Sequence, residues 1–109
     1  MPTIDERIAL LKKMHSDEMV IMAAKANDYS GTEDCNKNIK ACEVMGLCSA
    51  EVGLLIRIGD KIQRLNSLVA KRNKMMVDEG LMDTIMDTRN YLCILAHILQ
   101  EKGLLRERE

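Results

Sequence analysis

An all-α domain of about four helices is the fold this sequence predicts. Three observations predict it: composition, the spacing of apolar residues, and the placing of turn residues between apolar runs. Of the 109 residues 47% are hydrophobic and 30% charged, with 9 Met, one Pro, two Tyr and neither Phe nor Trp. Helices packed on helices use such straight-chain residues, whereas sheets draw on aromatic and β-branched ones. The length suits a single domain over residues 1–109, large enough to bury a core.

The elements follow in order. Ile4, Ile8, Leu11, Met14, Met19, Met22 and Ala23 keep mostly to one face of a first helix, from Ile4 to about Ala26. Thr3 followed by Glu6 is the pattern of a capping box at its start. The stretch Asn27-Asp28-Tyr29-Ser30-Gly31 supplies turn residues. A shorter helix is expected from about Glu33 to Met45, with Ile39 and Cys42 turned inward and Gly46 ending it. Ser49 then caps a third helix, from Ala50 to about Lys71, that is the most apolar of the set and should be central. Its apolar arc is wider than one small bundle covers, which predicts a homo-oligomer. Arg72 to Val77 is expected as a linker. The fourth helix runs from Asp78 to about Lys102 before Gly103, with Leu81, Ile85, Leu92, Leu95 and Leu99 as its apolar side. A frayed tail over 104–109 completes the chain.

Charge and cysteine content exclude several classes. A net charge of −1 argues against strong nucleic-acid binding, which needs a basic surface. Cys35, Cys42, Cys48 and Cys93 form no Cys-x-x-Cys pair, so they read as small apolar residues of a reducing cytoplasm rather than as zinc ligands or a dithiol. No run of about 18 apolar residues occurs, so no membrane span is expected and a cytoplasmic location follows. The Gly46, Gly53 and Gly59 spacings fit no phosphate-binding glycine loop. His15 and His97 have no companions at a catalytic spacing.

The residues that carry chemistry cluster on the last two helices. Glu79, Asp83 and Asp87 follow one another at four-residue steps and so stack along one line of a helix. Like charges so placed repel mildly, and a divalent cation among them would turn that cost into an asset. On the preceding helix Asp60 stands among Arg57, Lys61 and Arg64. Read plainly this is an exposed ion-pair cluster of little energetic consequence. If the two helices pack antiparallel, however, Asp60 can face Asp83 and Asp87 across a groove edged with cations. Such a groove would hold Mg²⁺ and neutralise a phosphate chain. Lys25, Asp28 and Tyr29 lie at a helix end, an ordinary place for exposed residues. Tyr29 and Tyr91 are nonetheless the only aromatic rings, so a nucleobase would have to stack on one of them. Asn90 offers the donor and acceptor needed to read a base or sugar edge.

With those residues in view, the chain resembles the phage and bacterial family called nucleotide modification associated domain 1. The likeness lies in three ordered blocks: Ala24 to Gly31 with Asp34, Gly53 to Leu65, and Asp78 through Asp87 to Tyr91. It implies a small helical protein of nucleotide metabolism, in the host cytoplasm if phage-encoded. More distantly it resembles the all-α nucleoside triphosphate pyrophosphohydrolases of the MazG type, which hold Mg²⁺ with acids on two neighbouring helices. That family carries Glu-x-x-Glu and Glu-x-x-Asp, whereas this chain has Arg57-x-x-Asp60-Lys61 and Asp83-x-x-x-Asp87. The resemblance implies Mg²⁺-dependent hydrolysis of a canonical or modified nucleoside triphosphate to monophosphate and pyrophosphate. In that reading Asp60, Asp83 and Asp87 hold metal, and Glu79 is a further ligand or the base that orients water. Lys25, Arg57, Lys61 and Arg64 meet phosphate, and Asp28, Tyr29, Asn90 and Tyr91 form the base and sugar side. A non-catalytic nucleotide binder or sponge and a purely structural helical oligomer are the two alternatives.

Overall fold

The computed structural model describes residues 1–29, 34–71 and 77–106, with the backbone alone for residues 26–29 and 77–79. Four α-helices and no strand occur among the described residues: α1 (Ile4–Tyr29), α2 (Ala41–Val44), α3 (Ala50–Ala70) and α4 (Val77–Glu101). The all-α expectation therefore holds. The chain divides into two compact units, Met1–Cys35 and Asn36–Glu109.

The first unit is built on α1. Its start is the capping box that the sequence announces: the Glu6 amide donates to Thr3 Oγ1 at 3.2 Å, and the Thr3 amide donates to Glu6 Oε2 at 3.1 Å. Both bonds satisfy amides that the first helical turn leaves without a carbonyl partner. Along α1 the apolar residues Ile4, Leu10, Leu11, Met19 and Val20 are exposed. The helix extends to Tyr29, three residues past the expected end. Of the turn expected over Asn27 to Gly31, residues 27–29 are instead the end of α1, and Ser30 and Gly31 lie outside the described residues.

The second unit holds the core. Its second helix is much shorter than expected, a single turn at Ala41–Val44 preceded by hydrogen-bonded turns over 35–40. Asn36 and Asn38 favour this, because short polar side chains compete for backbone hydrogen bonds and prefer turns over helix. Gly46 adopts a φ of 75° after it, and Gly103 one of 74° after α4, the left-handed conformation that stops a helix. Ser49 caps α3 as expected, accepting from the Val52 amide at 3.2 Å. The linker expected at Arg72 to Val77 is described only at its last residue, where Val77 already begins α4.

Helices α3 and α4 form an antiparallel hairpin. The pairs Leu68 with Gly80, Arg64 with Thr84, Lys61 with Asp87 and Glu51 with Lys102 ascend one helix as they descend the other. Ala50, Leu54 and Ile98 are fully buried between them, with Ile39, Tyr91, Ile94 and Leu95 packed around. The face that α4 packs is thus Thr84, Thr88, Tyr91, Leu95 and Ile98, a heptad-like series that includes two threonines. The expected apolar side was Leu81, Ile85, Leu92, Leu95 and Leu99. Only Leu95 of these joins the core, and Leu92 is 48% exposed. The threonines can be buried because each satisfies its own hydroxyl. Thr84 donates to the Gly80 carbonyl at 2.6 Å and Thr88 to the Thr84 carbonyl at 2.7 Å.

Four polar contacts lock the end of α4 to the start of the unit. Lys102 bonds both Glu43 and Glu51, the latter at 2.7 Å, and Lys40 bonds Glu101 at 2.6 Å. Asn36 is buried, and its side-chain Nδ2 lies in hydrogen-bond contact with His97 Nδ1 at 3.2 Å. Cys42 and Cys48 are half-buried, as small apolar residues should be, whereas Cys35 and Cys93 are exposed.

Candidate functional site

Antiparallel packing fixes where the flanks of each helix fall. Successive helical residues advance by about 100°, so Arg57, Asp60 and Arg64 occupy one flank of α3 beside its packed face, with Lys61 at that flank's inner edge. Asp83, Asp87 and Asn90 occupy the corresponding flank of α4. Because the two helices run in opposite directions, these flanks lie on the same side of the hairpin. Two cross-helix contacts close that side. Lys61 Nζ lies 3.5 Å from Asp87 Oδ2, and Arg64 Nε donates to Thr84 Oγ1 at 3.2 Å. The carboxylates of α4 and the cations of α3 therefore share one polar side, as the sequence suggested for an antiparallel pair.

Within this side the residues differ in freedom. Arg57, Asp60, Arg64 and Asp83 are exposed, and Asp87 and Asn90 are half-buried. The Lys61 and Asp87 side chains keep 29% and 40% of their surface, so their ion pair is solvent-screened and easily exchanged for another partner. Asn90 is different: its Oδ1 is buried with no hydrogen-bond partner among the described residues. A buried amide oxygen left so costs about 1–3 kcal/mol, which makes it a point where a donor would be welcome.

The remaining expected site residues are placed elsewhere or not at all. Tyr91 packs against the Ala50, Leu54 and Ile98 core, so its ring is engaged in packing rather than offered as a platform. Lys25 belongs to the first unit, at the last turns of α1, and is half-buried. The side chains of Asp28, Tyr29 and Glu79 lie outside the described residues.

For Mg²⁺ the donor set can be tested directly. Among the described residues no three His, Cys, Asp or Glu side chains gather in a group able to hold a metal. Asp60, Asp83 and Asp87 thus do not form a cage of their own. Mg²⁺ commonly takes one or two carboxylates and completes its shell with water and substrate phosphates, and this narrower role is the one the polar side is suited to.

Sequence reasoning missed Thr84, which anchors Arg64, and Thr88 beside it. Their signal was available: Thr84, Thr88, Tyr91, Leu95 and Ile98 repeat at steps of four and three. Asn36 and His97 were also overlooked as partners, since 61 residues separate them.

Fold and site together define a class: an all-α protein whose last two long helices form a hairpin with a mixed-charge polar side. No described helix is long and apolar enough to cross a membrane. Comparison of the chain with protein-family models, curated proteins and solved structures gave no match.

Proposed function

We propose that this protein binds a nucleotide along the polar side of the α3–α4 hairpin, as a cytoplasmic component of phage or bacterial nucleotide metabolism. Arg57, Lys61 and Arg64 meet the phosphates, and Asn90 bonds the sugar or base. The observation that carries this reading is the reach of Lys61 and Arg64 across to Asp87 and Thr84 of α4. Cations gathered at a helix–helix seam neutralise a phosphate chain better than scattered ones, and Arg does so through a bidentate fork. A polyphosphate would replace Asp87 as the partner of Lys61 at modest cost, because their ion pair is only half-buried and solvent-screened. The resemblance to nucleotide modification associated domain 1 supports the same substrate class.

Hydrolysis of a nucleoside triphosphate is the catalytic form of this proposal. There one or two of Asp60, Asp83 and Asp87 would contribute a carboxylate to a Mg²⁺ whose shell water and the phosphates complete, and Glu79 would orient water. Mg²⁺ would supply charge neutralisation of the phosphoanhydride. The non-catalytic form is a nucleotide sponge or regulatory subunit using the same cations.

One experiment separates them. The protein is challenged with a panel of canonical and modified nucleoside triphosphates, with and without Mg²⁺, while melting temperature and pyrophosphate release are followed. Nucleotide binding raises the melting temperature, and replacing both Lys61 and Arg64 by Ala weakens the apparent affinity by about 10-fold or more. Pyrophosphate release that needs Mg²⁺ and vanishes in Asp87→Ala identifies the hydrolase. Stabilisation without release identifies the binder. If no nucleotide shifts the melting temperature and none is cleaved, the chain is a structural helical protein.

A further inference from the structure

The turn that joins α2 to α3 brings Cys42 and Cys48 to one point of the second unit. Gly46, with its φ of 75°, reverses the chain between them, and the Leu47 and Cys48 amides return to the Cys42 carbonyl at 2.9 and 3.5 Å. The two backbones are therefore a hydrogen bond apart. The side chains converge as well. A Cβ at Gly53, one turn into α3, would stand 2.8 Å from Cys42 Sγ and 3.7 Å from Cys48 Sγ, so both sulfurs border the space that the missing side chain leaves. Both thiols are half-buried, and the Cys42 side chain is the first cause of a rise in the Cys48 pKa above its ordinary value. The pair falls outside the Cys-x-x-Cys pattern, so spacing alone does not reveal it.

We propose that Cys42 and Cys48 form a dithiol site that a low-molecular-mass disulfide of the glutathione class converts to an intramolecular disulfide in the folded protein. The chemistry balances as two successive exchanges. The Cys42 thiolate attacks one sulfur of the reagent, whose S–S bond breaks, giving a mixed disulfide at Cys42 and releasing one thiol. The Cys48 thiolate then attacks the Cys42 sulfur and releases the second. In sum the protein loses two electrons and two protons, and the reagent becomes two thiols. The surroundings fix this order. Cys48 is a poor first nucleophile, because its proton is held chiefly by Cys42, and once the Cys42 sulfur carries the mixed disulfide that main cause is gone. Neither step needs α2 to leave α3, since the turn already holds the two residues side by side. The closed ring takes in residues 42–48 and ends beside Ser49, the cap of α3. It ties the turn that carries Glu43 to the start of that helix and stabilises the unit by restricting its unfolded chain. The inference is independent of what the polar side of the hairpin binds.

The test uses the full chain with Cys35→Ser and Cys93→Ser, which leaves this pair as its only thiols. The folded protein is equilibrated with mixtures of reduced and oxidised glutathione and quenched in acid. Its remaining thiols are then alkylated in denaturant before trypsin digestion and mass measurement. Residues 41–57 form one tryptic peptide that holds both sulfurs. As oxidised glutathione rises, this peptide is expected to lose both thiols together, becoming lighter by two hydrogens with no glutathione attached. The melting temperature should rise with it by about 5 °C or more, and fall back when reductant is added. Adding Cys48→Ser should stop the reaction after the first exchange and leave one glutathione on Cys42. Thiols that stay free at the most oxidising ratio, or that each carry glutathione instead, overturn the proposal. So does a bond that forms in urea and not in buffer, since native packing would then play no part, or one that leaves the melting temperature unchanged.

Discussion

Gly53 is the residue at which the second unit is tightest. A Cβ built there would lie 2.8 Å from Cys42 Sγ, closer than real side chains approach. Cys42 has little room to yield. Its thiol faces two backbone carbonyls, Ile39 at 3.8 Å and Ser49 at 3.6 Å, and its neighbour Cys48 lies close enough for the Cys42 thiol to raise the Cys48 pKa. Gly53→Ala would otherwise gain about 1 kcal/mol of helix propensity. Overpacking costs about 1–3 kcal/mol, so the net expectation is destabilisation by about 1 kcal/mol. Removing the obstruction should reverse the sign. In a double-mutant cycle by urea unfolding, Gly53→Ala combined with Cys42→Ala is expected to be more stable than Cys42→Ala alone. Additive effects would show that Cys42 is not what limits the site. Gly59, on the same helix, has nothing within 4 Å of a Cβ, and Gly59→Ala should simply stabilise by about 0.5–1 kcal/mol.

At the scale of elements, α3 places residues of one type in opposite circumstances. Leu54 is 1% exposed and its neighbour Leu55 is 54% exposed. Leu54→Ala should cost about 2–5 kcal/mol by urea titration at any protein concentration. Leu55→Ala, at the exposed site, should cost well under half of that. Ser49→Ala removes the cap on the Val52 amide and should cost about 1 kcal/mol. Helix boundaries and caps were legible in the sequence because they depend on neighbours three or four residues apart: Thr3 with Glu6, Ser49 with Val52, and Gly46 and Gly103 as stops. The polar side was legible for a similar reason, since periodicity put Lys61 and Arg64 on one flank of α3 and Asp87 on one flank of α4. What could not be read was which of two candidate stripes on α4 faces α3. Periodicity ranks stripes by hydrophobicity and so chose Leu81, Ile85, Leu92 and Leu99. The hairpin packs the line of Thr84, Thr88 and Ile98 instead, because threonines that bond their own helix backbone pack as apolar residues do. The short α2 was misjudged as well: Asn36 and Asn38 were local turn signals that the apolar spacing outweighed, and the contact of Asn36 with His97 on α4 is one that no local pattern encodes.

For the molecule as a whole, closure of the second unit depends on a cluster of charges that the helices bring together from its two ends. Lys102 sits just past α4 and bonds Glu43 of α2 and Glu51 of α3 together. Its hydrogen bonds are the main reason that both carboxyls are held below their usual 4.5, with the Ala50 amide a further donor to Glu43. The same bonds hold the Lys102 ammonium above its usual 10.5. Linkage then fixes the pH window. Carboxyls depressed in the folded state contribute stability that is complete above about 4.5 and is lost as pH falls through their folded values. An ammonium raised in the folded state contributes stability that is complete below about 10.5 and is lost as pH rises beyond it. Stability should therefore be level between about pH 5 and 10 as far as this cluster is concerned, and fall on either side. Glu43 and Lys102 are exposed and Glu51 is half-buried, so solvent screens the cluster, and the effect should be small and should shrink in high salt. Other carboxyls titrate in the same acid range, and a variant isolates the cluster from them. Lys102→Met retains the aliphatic stem while removing the charge, and its urea midpoint should lie below that of wild type at pH 7. The two should converge as the pH is lowered through the depressed folded-state values of Glu43 and Glu51, below which both are protonated in both proteins. Measured at one protein concentration, a difference between the two midpoints that stays constant through the whole acid transition would mean that Lys102 stabilises the unit through packing and not through these carboxylates.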